Sequence, residues 1–386
     1  MRDKRREGNL RYCMVGGGPG AFIGEVHRKA IALDSSAELV AGAFSTDPGK
    51  SALTGRELGL DPARVYPDFE EMARSEAGRP DGADFVVVAT PNDSHFAAAS
   101  AFLRSGIHVA CDKPLGLNVA EGEKLAALAA ERNLLFCVTY AYTGYAAVKQ
   151  ARSMLASGAI GDIRFVNAEY PQEFFARPVE REGNKQAAWR FDPAKSGPVG
   201  SLGDIGTHVE NLVSYMTGLR LKRVCARLDK FVAGRALDDN DTVMTEYEGG
   251  ATGLYWACQA AFGHENGLRI RVYGTEGGLS WCQEDPDHFT LARAGAPIER
   301  WGRGRESFVP GAQAYSRVPA GHPEGYFEGF ANVYRAFTAT LRARIEGRSP
   351  DAAALDFPGV EAGVSGLRFV AACVESSRSG SEWVEL

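Results

Sequence analysis

The sequence predicts an α/β N-terminal domain with a doubly wound parallel sheet, followed by an α+β domain with a large, mostly antiparallel open sheet. The chain has 386 residues, which is more than one hydrophobic core usually serves. Over about the first 140 residues, strand-like apolar runs alternate with helical patterns. Beyond that point, strand-like runs follow one another with turns between them and few helices. We therefore expect domains over residues 1–140 and 141–386.

The first domain opens with a short apolar run, RYCMVGGG, that ends in glycines. A helical stretch follows, from about Ile23 to Leu33, and then a second apolar run, AELVAGAF. The third run, DFVVVATP, is β-branched and uninterrupted, as is typical of a parallel strand buried on both faces. HFAAASAFLRSG predicts a helix that stops at Gly106. The strand IHVACDKP, the helix VAEGEKLAALAAERN and the strand LLFCVTY complete the alternation.

The second domain begins with a predicted helix, YAAVKQARSMLASGAIG, and a predicted strand, IRFVNAEYPQ. Further strands are predicted in RLKRVCARLDKFV, DTVMTEYEGG, ATGLYWACQA, LRIRVYGTEGGLSW and HFTLARAG. Residues 292–325 are rich in Gly, Pro and Arg and predict a long arm or lid loop. EGYFEGFANVYRAFTATLRARIEG predicts an amphipathic helix. A sheet with one open face often packs against another copy, so we expect a homodimer or homotetramer.

The composition narrows the class of protein. Charged residues are 24% and hydrophobic residues 45%, as in a soluble globular enzyme. The net charge of −6 argues against nucleic acid as a partner, and the basic start, MRDKRREG, predicts a short solvated tail. No apolar run approaches the roughly 20 residues of a membrane span, and no signal peptide is expected. Seven scattered cysteines without a C-x-x-C pair predict reduced thiols in a cytoplasmic protein.

VGGGPGAFIG lies between the first strand and the first helix, which is the context that a dinucleotide fingerprint of the Rossmann type requires. Gly16 and Gly18 fit its first two positions, and the third is either Ala21 or Gly24. Glycines let the backbone approach a pyrophosphate, and the helix N-terminus favours its charge. A Gly-rich structural turn is the alternative. The predicted cofactor contacts in this loop are Gly16, Gly18, Pro19, Gly20, Ala21, Phe22 and Ile23.

The end of the second strand is expected to contact the cofactor ribose. An acidic residue there is typical of NAD, and a nearby Arg is typical of NADP. In GAFSTDPGKS, Ser45 occupies the expected position, Asp47 comes slightly late, and Lys50 is long enough to reach a phosphate. NAD and NADP both stay open, and the missing Arg after Ser45 favours NAD.

Two motifs follow neighbouring strands and therefore lie at the carboxyl edge of the predicted sheet, where such folds bind ligands. CDKPLG places Lys113 between Asp112 and Pro114. A surface lysine is the plain interpretation, but a lysine at a strand's carboxyl end is a candidate functional group. The Lys113–Pro114 bond is a candidate cis peptide. The other motif, ATPNDSH, supplies the candidate cofactor contacts Thr90, Pro91, Asn92 and His95.

GDIGTH places Asp204 and His208 one helical turn apart, so that both can face one pocket. One interpretation is a helix start with an ordinary core histidine, and another is a proton-handling pair. A metal site is a third, disfavoured because no Cys lies near. Imidazole titrates near neutrality and suits a general base. The positive charge of Lys113 suits the stabilisation of a developing alkoxide. Asp204 is expected to bind a substrate hydroxyl or to orient the imidazole.

Taken together, GGGPGAFIG, TPNDSH, CDKPLG, AAWRFDPAKSGPVGSLGDIGTH and RVYGTEGGL resemble the Gfo/Idh/MocA oxidoreductases over nearly the whole chain. The resemblance implies a nucleotide-binding N-terminal domain and oligomers formed through the sheet of the second domain. It also implies that NAD or NADP oxidises or reduces a sugar or cyclitol hydroxyl. By the same resemblance Lys113 lies between cofactor and substrate, and Asp204 and His208 belong to the substrate domain. The T-P-N-x-x-H loop would lie beside the nicotinamide.

The sequence departs from the family pattern in its glycine loop, which is often shorter in the family, and at two further positions. Asp112 stands where the family commonly has Glu, and Ala141 stands where related sequences often have Asn. A polyol pocket needs many hydrogen-bonding groups and an aromatic wall. The predicted substrate contacts are Lys113, Tyr142, Gln172, Lys185, Trp189, Asp204, His208, His264 and Asn266. Trp189 and Arg190 are also predicted cofactor contacts, and His322 is a candidate cap of the pocket.

These observations predict an NAD(P)-dependent oxidoreductase that transfers hydride between nicotinamide and a secondary hydroxyl or ketone of a sugar, glycoside or cyclitol. Catalysis is assigned to Lys113, Asp204 and His208, without a metal. One alternative is a redox enzyme for another small polar substrate, such as a diol or an imine. A non-catalytic cofactor-binding regulator is disfavoured, because both the lysine and the histidine are present.

Overall fold

The computed structural model describes residues 8–386, and its first half alternates strands and helices. The predicted solvated tail lies outside the described residues except for Gly8. The elements of this part are β1 (Leu10–Gly16), α1 (Phe22–Ala32), β2 (Ala37–Ala43), α2 (Pro48–Glu57), α3 (Phe69–Gly78), β3 (Phe85–Ala89), α4 (His95–Arg104), β4 (His108–Cys111), α5 (Val119–Glu131) and β5 (Phe136–Val138).

The remaining elements are richer in strands, and helices return near the end of the chain. They are α6 (Ala146–Ala156), β6 (Ile163–Pro171), α7 (Lys185–Arg190), α8 (Pro193–Ser196), α9 (Thr207–Thr217), β7 (Leu221–Asp229), β8 (Asn240–Tyr247), β9 (Thr252–Cys258), β10 (Arg269–Gly274), β11 (Gly277–Cys282), β12 (His288–Arg293), β13 (Glu299–Gly302), α10 (Pro310–Gln313), α11 (Tyr326–Ile345), α12 (Val360–Arg378) and β14 (Val384–Glu385).

The first sheet has five strands in the order β2-β1-β3-β4-β5, and all its pairings are parallel. Strand β3 is buried along its whole length, which explains its uninterrupted apolar sequence. The glycine loop, the TPN loop and the CDKP loop follow β1, β3 and β4. All three loops therefore lie at the carboxyl edge of this sheet, and the predicted doubly wound architecture is confirmed.

The second sheet has nine strands in the order β13-β12-β11-β10-β6-β9-β8-β7-β14. Its pairings are antiparallel except for β6 with β9, which run parallel. The predicted mostly antiparallel sheet is confirmed. Because β6 and β9 are parallel, their carboxyl ends meet at one edge of the sheet. There the backbone amide of Gln172 donates to the Cys258 carbonyl at 2.7 Å.

The chain divides into two compact units. The first comprises the chain up to Gly116, Ala120–Ala141 and Tyr326–Val364, and the second comprises Leu117–Val119, Tyr142–Gly325 and Ser365–Leu386. Helix α11 belongs to the first unit because it packs on α1. The His27 ring meets the rings of Phe330 and Tyr334 edge-on, with centroids 5.3 and 5.8 Å away. The domain limits 1–140 and 141–386 stay a prediction.

The segment 292–325, which the sequence predicts as a long arm or lid loop, is mostly irregular and contains two short regular elements; its role as a lid stays a prediction. It contains β13, which pairs with β12, and the short helix α10. The buried Arg303 donates to Asp287 at 2.6 Å and lies 2.8 Å from Glu324. Composition rich in Gly and Pro predicts turns, but it does not reveal a buried ion pair that ties the turns down.

Helices in the described part of the chain do not combine the length and apolar character of a membrane span. The seven cysteines are free thiols, and all except Cys282 are buried. This agrees with the reduced state that their spacing predicts.

Helix α9, which carries His208, also carries a buried carboxyl group on Glu210. Its Oε1 accepts a hydrogen bond from Ser365 at 3.3 Å. Within residues 8–386 no hydrogen-bond partner reaches its Oε2. Burial raises the pKa of Glu210 from 4.5 to about 7, although the Ser365 hydroxyl opposes the shift. The carboxyl group is therefore partly protonated near neutral pH.

We expect Glu210→Gln to stabilise the protein increasingly as the pH rises. The folded-state pKa of Glu210 is raised, so its contribution to stability is fully present below about pH 4.5 and is lost as the pH rises through about 7. The unfolding free energy of the variant relative to wild type should grow by about 3 kcal/mol between pH 4 and pH 8.

Denaturant unfolding at both pH values measures this difference. The exposed Glu306→Gln is the matched control, for which no such growth is expected. A Glu210→Gln effect that does not change with pH would contradict the prediction.

Candidate active site

The glycine loop after β1 brings backbone segments closer than side chains would allow. Gly16 has φ of +82°, and a Cβ there would lie 2.3 Å from the Ala89 carbonyl oxygen. A Cβ on Gly18 would lie 2.6 Å from the Phe44 carbonyl oxygen. The loop is therefore a closely packed turn that only glycines allow, and such a glycine cradle fits the pyrophosphate of a dinucleotide.

The structure decides between Ala21 and Gly24 as the third glycine position. A Cβ on Gly24 would lie 2.3 Å from the Gly17 Cα, so only glycine lets α1 pack on the loop. Arg28, one turn further along α1, donates to the Gly17 carbonyl at 3.1 Å. Ala21 directly precedes α1 and is partly exposed. Gly24 therefore has the close-packing role, and residues 19–21 form the insertion.

The other predicted loop contacts lie near the surface of the first unit. Pro19, Gly20 and Phe22 are exposed, and Ile23 is half-buried. The Phe22 ring stacks on the Tyr326 ring with centroids 6.4 Å apart.

The polar residues after β2 stabilise the start of α2. Asp47 caps this helix, and its carboxylate accepts from the Lys50 amide at 3.1 Å. The Lys50 ammonium lies 3.9 Å from the same carboxylate. Ser45 accepts from the Asp47 amide at 3.1 Å. Asp47 therefore lies beyond the position expected for a ribose contact because it caps α2. Ser45 occupies that position after β2.

His95 joins two of the loops at the carboxyl edge of the first sheet. Its imidazole is fully buried, and Nε2 lies 2.8 Å from the Thr90 carbonyl oxygen. Nδ1 lies 2.8 Å from the Pro114 carbonyl oxygen. Asn92 is buried in the same loop, and Pro91 is half-buried. The contact predicted between His95 and a cofactor stays a prediction, and the ring has this joining role in the first unit.

Lys113 follows β4 directly and is partly exposed. The Lys113–Pro114 peptide is cis. The preceding Asp112 is buried, and its amide donates to the Val88 carbonyl at 3.0 Å. The lysine side chain therefore extends from a backbone segment that is fixed on both sides.

In the second unit, GDIGTH covers most of a π-helical turn over Leu202–Gly206 and the first two residues of α9. The buried Asp238 carboxylate accepts from the amides of Gly200 and Leu202, each at 2.8 Å. π-helical turns are frequent at functional sites, because the wider turn re-aims side chains. Asp238 thus satisfies the backbone donors that precede Asp204 and His208.

Asp204 is bound on one side by two polar side chains. Its Oδ2 accepts from Arg190 Nε at 2.9 Å and from Gln259 Nε2 at 2.9 Å. The Arg190 guanidinium also lies over the Trp189 ring, 4.3 Å from its centroid. The Arg190–Asp204 ion pair lies within the second unit, and the cofactor contact predicted for Arg190 stays a prediction.

His208 lies beside a hydrogen-bonded cluster of aromatic and amide side chains. The Tyr142 ring meets it edge-on at 4.7 Å, and the Tyr142 hydroxyl bonds to the Tyr170 hydroxyl. Tyr170 and Gln172 donate to Asn266 Oδ1, each at 2.7 Å. Burial raises the pKa of Tyr142, so its hydroxyl stays protonated at neutral pH.

Three further residues with predicted site roles lie on exposed surface. Lys185 begins α7, and His264 meets the Trp256 ring at 6.1 Å. His322 is exposed, and its carbonyl accepts a hydrogen bond from Arg303. Among the described residues, no group of three or more His, Cys, Asp or Glu side chains is placed to bind a metal ion.

Sequence reasoning missed Tyr170 and Gln259. Tyr170 is near the end of β6, and Gln259 directly follows β9. The available signal was a polar residue at the end of an apolar run, as in ATGLYWACQA. The parallel pairing of β6 with β9 makes these two strand ends neighbours, and no local pattern reveals it.

The fold and these residues define a class of protein, the NAD-binding oxidoreductases. A model of the oxidoreductase family with an NAD-binding Rossmann fold matches residues 10–140, and a Gfo/Idh/MocA C-terminal domain model matches residues 148–280. The chain belongs to the Gfo/Idh/MocA family. The predicted family, the enzyme class and the nicotinamide dinucleotide cofactor are thereby confirmed.

Similar proteins extend over nearly the whole chain. The uncharacterized oxidoreductase YfiI of Bacillus subtilis (strain 168) is 37% identical over 97% of this chain and 96% of its own length. An inositol dehydrogenase homolog from Azotobacter vinelandii, solved with NAD+, is 42% identical with a TM-score of 0.94, over 99% of this chain and 98% of that one. Levoglucosan dehydrogenase of Pseudarthrobacter phenanthrenivorans is 29% identical over 76% of this chain and 79% of its length.

We expect Gly24→Ala to weaken NAD binding and to destabilise the first unit. The added methyl group overlaps the Gly17 Cα, and such overpacking usually costs about 1–3 kcal/mol. The dissociation constant for NAD, measured by calorimetric titration, should rise at least about tenfold. Gly78→Ala in α3 is the control, because a Cβ there meets nothing within 4 Å. Wild-type affinity in folded Gly24→Ala would show that this packing is dispensable.

Proposed function

We propose that this chain is an NAD-dependent dehydrogenase of a polyol, acting on a secondary hydroxyl of a cyclitol, a sugar or a glycoside. The observation that carries the proposal is the polar cluster around His208, in which a tyrosine pair and two amide side chains form a continuous hydrogen-bond network. A polyol offers several hydroxyl groups that donate and accept at once, and such a network suits them. The inositol dehydrogenase homolog and the levoglucosan dehydrogenase among the similar proteins support the same substrate class.

NAD, when bound, supplies the redox chemistry of the reaction. The glycine cradle and the N-terminus of α1 are the residues that would bind its pyrophosphate. Ser45, Lys50 and the TPN loop are the further predicted contacts. All of these belong to the first unit.

We assign to His208 the role of the general base that removes the proton of the reacting hydroxyl. An imidazole exchanges protons near neutral pH, and the edge-on ring of Tyr142 restricts its orientation. Asp204, held by Arg190 and Gln259, is suited to bind a substrate hydroxyl as an acceptor. Lys113 supplies the positive charge that stabilises the developing alkoxide.

The substrate assignment is tested by a screen. Purified protein is mixed with NAD or NADP and with inositols, pyranoses and glycosides, and the absorbance of the reduced cofactor is followed. Turnover of at least one of these polyols with NAD is expected. A preference for a simple diol or an imine over every polyol would overturn the assignment.

We expect His208→Ala to reduce kcat by about 10²–10⁴, which is the usual contribution of a positioned acid–base group. The measurement is steady-state turnover of the substrate found in the screen. His288→Ala is the control, since His288 belongs to the same unit but pairs with Asp285 at 2.7 Å. Normal turnover by a folded His208→Ala would remove His208 from the mechanism.

We propose that the second sheet also forms a homo-oligomer interface through one of its faces. Phe165 pairs with Tyr273 across neighbouring strands, and Met244 pairs with Leu254. The exposed fractions of Phe165, Tyr273 and Met244 are 36%, 47% and 46%. Exposed aromatic and aliphatic side chains on one face of a sheet are typical of a protein–protein interface.

A charge in the middle of this face should separate the subunits. We expect Met244→Glu to lower the mass measured by sedimentation equilibrium toward that of the monomer, because the interface would bury an unpaired carboxylate. Ile298→Glu is the control, since Ile298 is 74% exposed in the turn before β13. An unchanged assembly in folded Met244→Glu would exclude this face.

A further inference from the structure

In the first unit, a row of buried, hydrogen-bonded side chains ends at Asp112, the residue before Lys113. The Tyr334 hydroxyl lies 2.7 Å from His27 Nδ1, and His27 Nε2 lies 3.2 Å from Asp112 Oδ1. The Thr139 hydroxyl donates to the same carboxylate oxygen at 2.6 Å. His27, Tyr334 and Thr139 have exposed fractions of 0%, 1% and 1%. These groups play no part in the mechanism described so far.

The protonation states of Asp112 and Tyr334 indicate which groups in this row donate hydrogen bonds and which accept them. Burial by itself raises the pKa of Asp112, but His27, by charge and hydrogen bond, and then the Thr139 hydroxyl outweigh it and lower the pKa to about 2. Asp112 is therefore a carboxylate and only accepts, so His27 Nε2 carries a hydrogen. Burial raises the pKa of Tyr334 well above its ordinary value, which keeps the phenol protonated. His27 Nε2 then donates to Asp112, and His27 Nδ1 has the Tyr334 hydroxyl as its partner.

The carboxylate at the end of this row is adjacent to Lys113 in the sequence. On the other side of the lysine, the Pro114 carbonyl lies 2.8 Å from His95 Nδ1. The backbone that carries Lys113 is thus fixed through the Asp112 side chain and through the Pro114 carbonyl. A group that must meet a reacting atom within a fraction of an ångström requires such support.

We propose that His27 is a positioning residue for Lys113, acting through its N–H to the Asp112 carboxylate. The inference rests on the proposed function, in which Lys113 stabilises the developing alkoxide. A purely structural histidine would contribute only ring volume, between Phe330 and Tyr334. The two roles differ in one respect, because positioning needs a donor at Nε2 and packing does not.

The matched variants are His27→Gln and His27→Leu, which both remove the ring but differ in the donor. Gln can still donate to Asp112, whereas Leu leaves the carboxylate without that partner. We expect His27→Leu to lower kcat about 10- to 100-fold, with little change in KM or NAD affinity, and His27→Gln to recover most of the loss. Equal kcat in the two variants would overturn the proposal.

A double-mutant cycle separates positioning from a general loss of stability. In a Lys113→Met background, His27→Leu should lower the residual kcat less than about twofold, because it acts through the lysine. An undiminished effect in that background would contradict the proposal. If His27→Leu fails to fold, Thr139→Val and Thr139→Ser replace the pair, since only Ser keeps the hydroxyl that donates to Asp112.

A readout without turnover keeps this test independent of the substrate assignment. The rate at which an amine-acylating reagent modifies Lys113, measured against pH by peptide mass spectrometry, should change in His27→Leu and return toward wild type in His27→Gln. Identical rates in all three proteins would refute the role of His27. Failure of the wild type to oxidise any polyol would instead refute the proposed function, and the labelling comparison would still decide on His27.

Discussion

The alignment of parallel strand ends is the constraint on which the candidate site depends. In a parallel sheet every strand reaches the same edge with its carboxyl end, so the loops that follow neighbouring strands converge. The glycine loop, the TPN loop and the CDKP loop of the first unit all start at such ends. In the second unit the parallel pair β6 and β9 repeats the arrangement within a sheet that is otherwise antiparallel. Polar side chains can collect there because the strands before them stay apolar and buried.

Within each unit, buried polar groups then fix the side chains that follow these strand ends. Asp112 is satisfied by His27 and Thr139, and Asp238 by two backbone amides at the start of the turn that leads to His208. A buried carboxylate without partners would be strongly destabilising, so each of these contacts specifies one geometry. In each unit, these contacts therefore hold the backbone that carries the candidate catalytic groups in one conformation.

Much of the fold could be predicted because its signals are local. The uninterrupted β-branched run of β3, the Gly stop after α4 and the run of strands after α6 each lie within a short stretch of sequence. The packing of the segment 292–325 could not be predicted, for the opposite reason. Its structure depends on Arg303, whose partners Asp287 and Glu324 lie 16 and 21 positions away. A Gly-rich composition looks the same whether or not such partners exist.

The sequence by itself determined the class of protein, because the glycine loop, CDKP and GDIGTH are contiguous motifs whose chemistry depends on residue type and order. Only the tertiary structure decided which glycine packs against Gly17, which groups bind Asp204, and which side chains bind the Asp112 carboxylate. His27 and Tyr334 are 307 positions apart, and Gln259 is 55 positions from Asp204. Contacts at such distances depend on how helices pack and strands pair, and no local pattern of residues encodes a particular long-range partner.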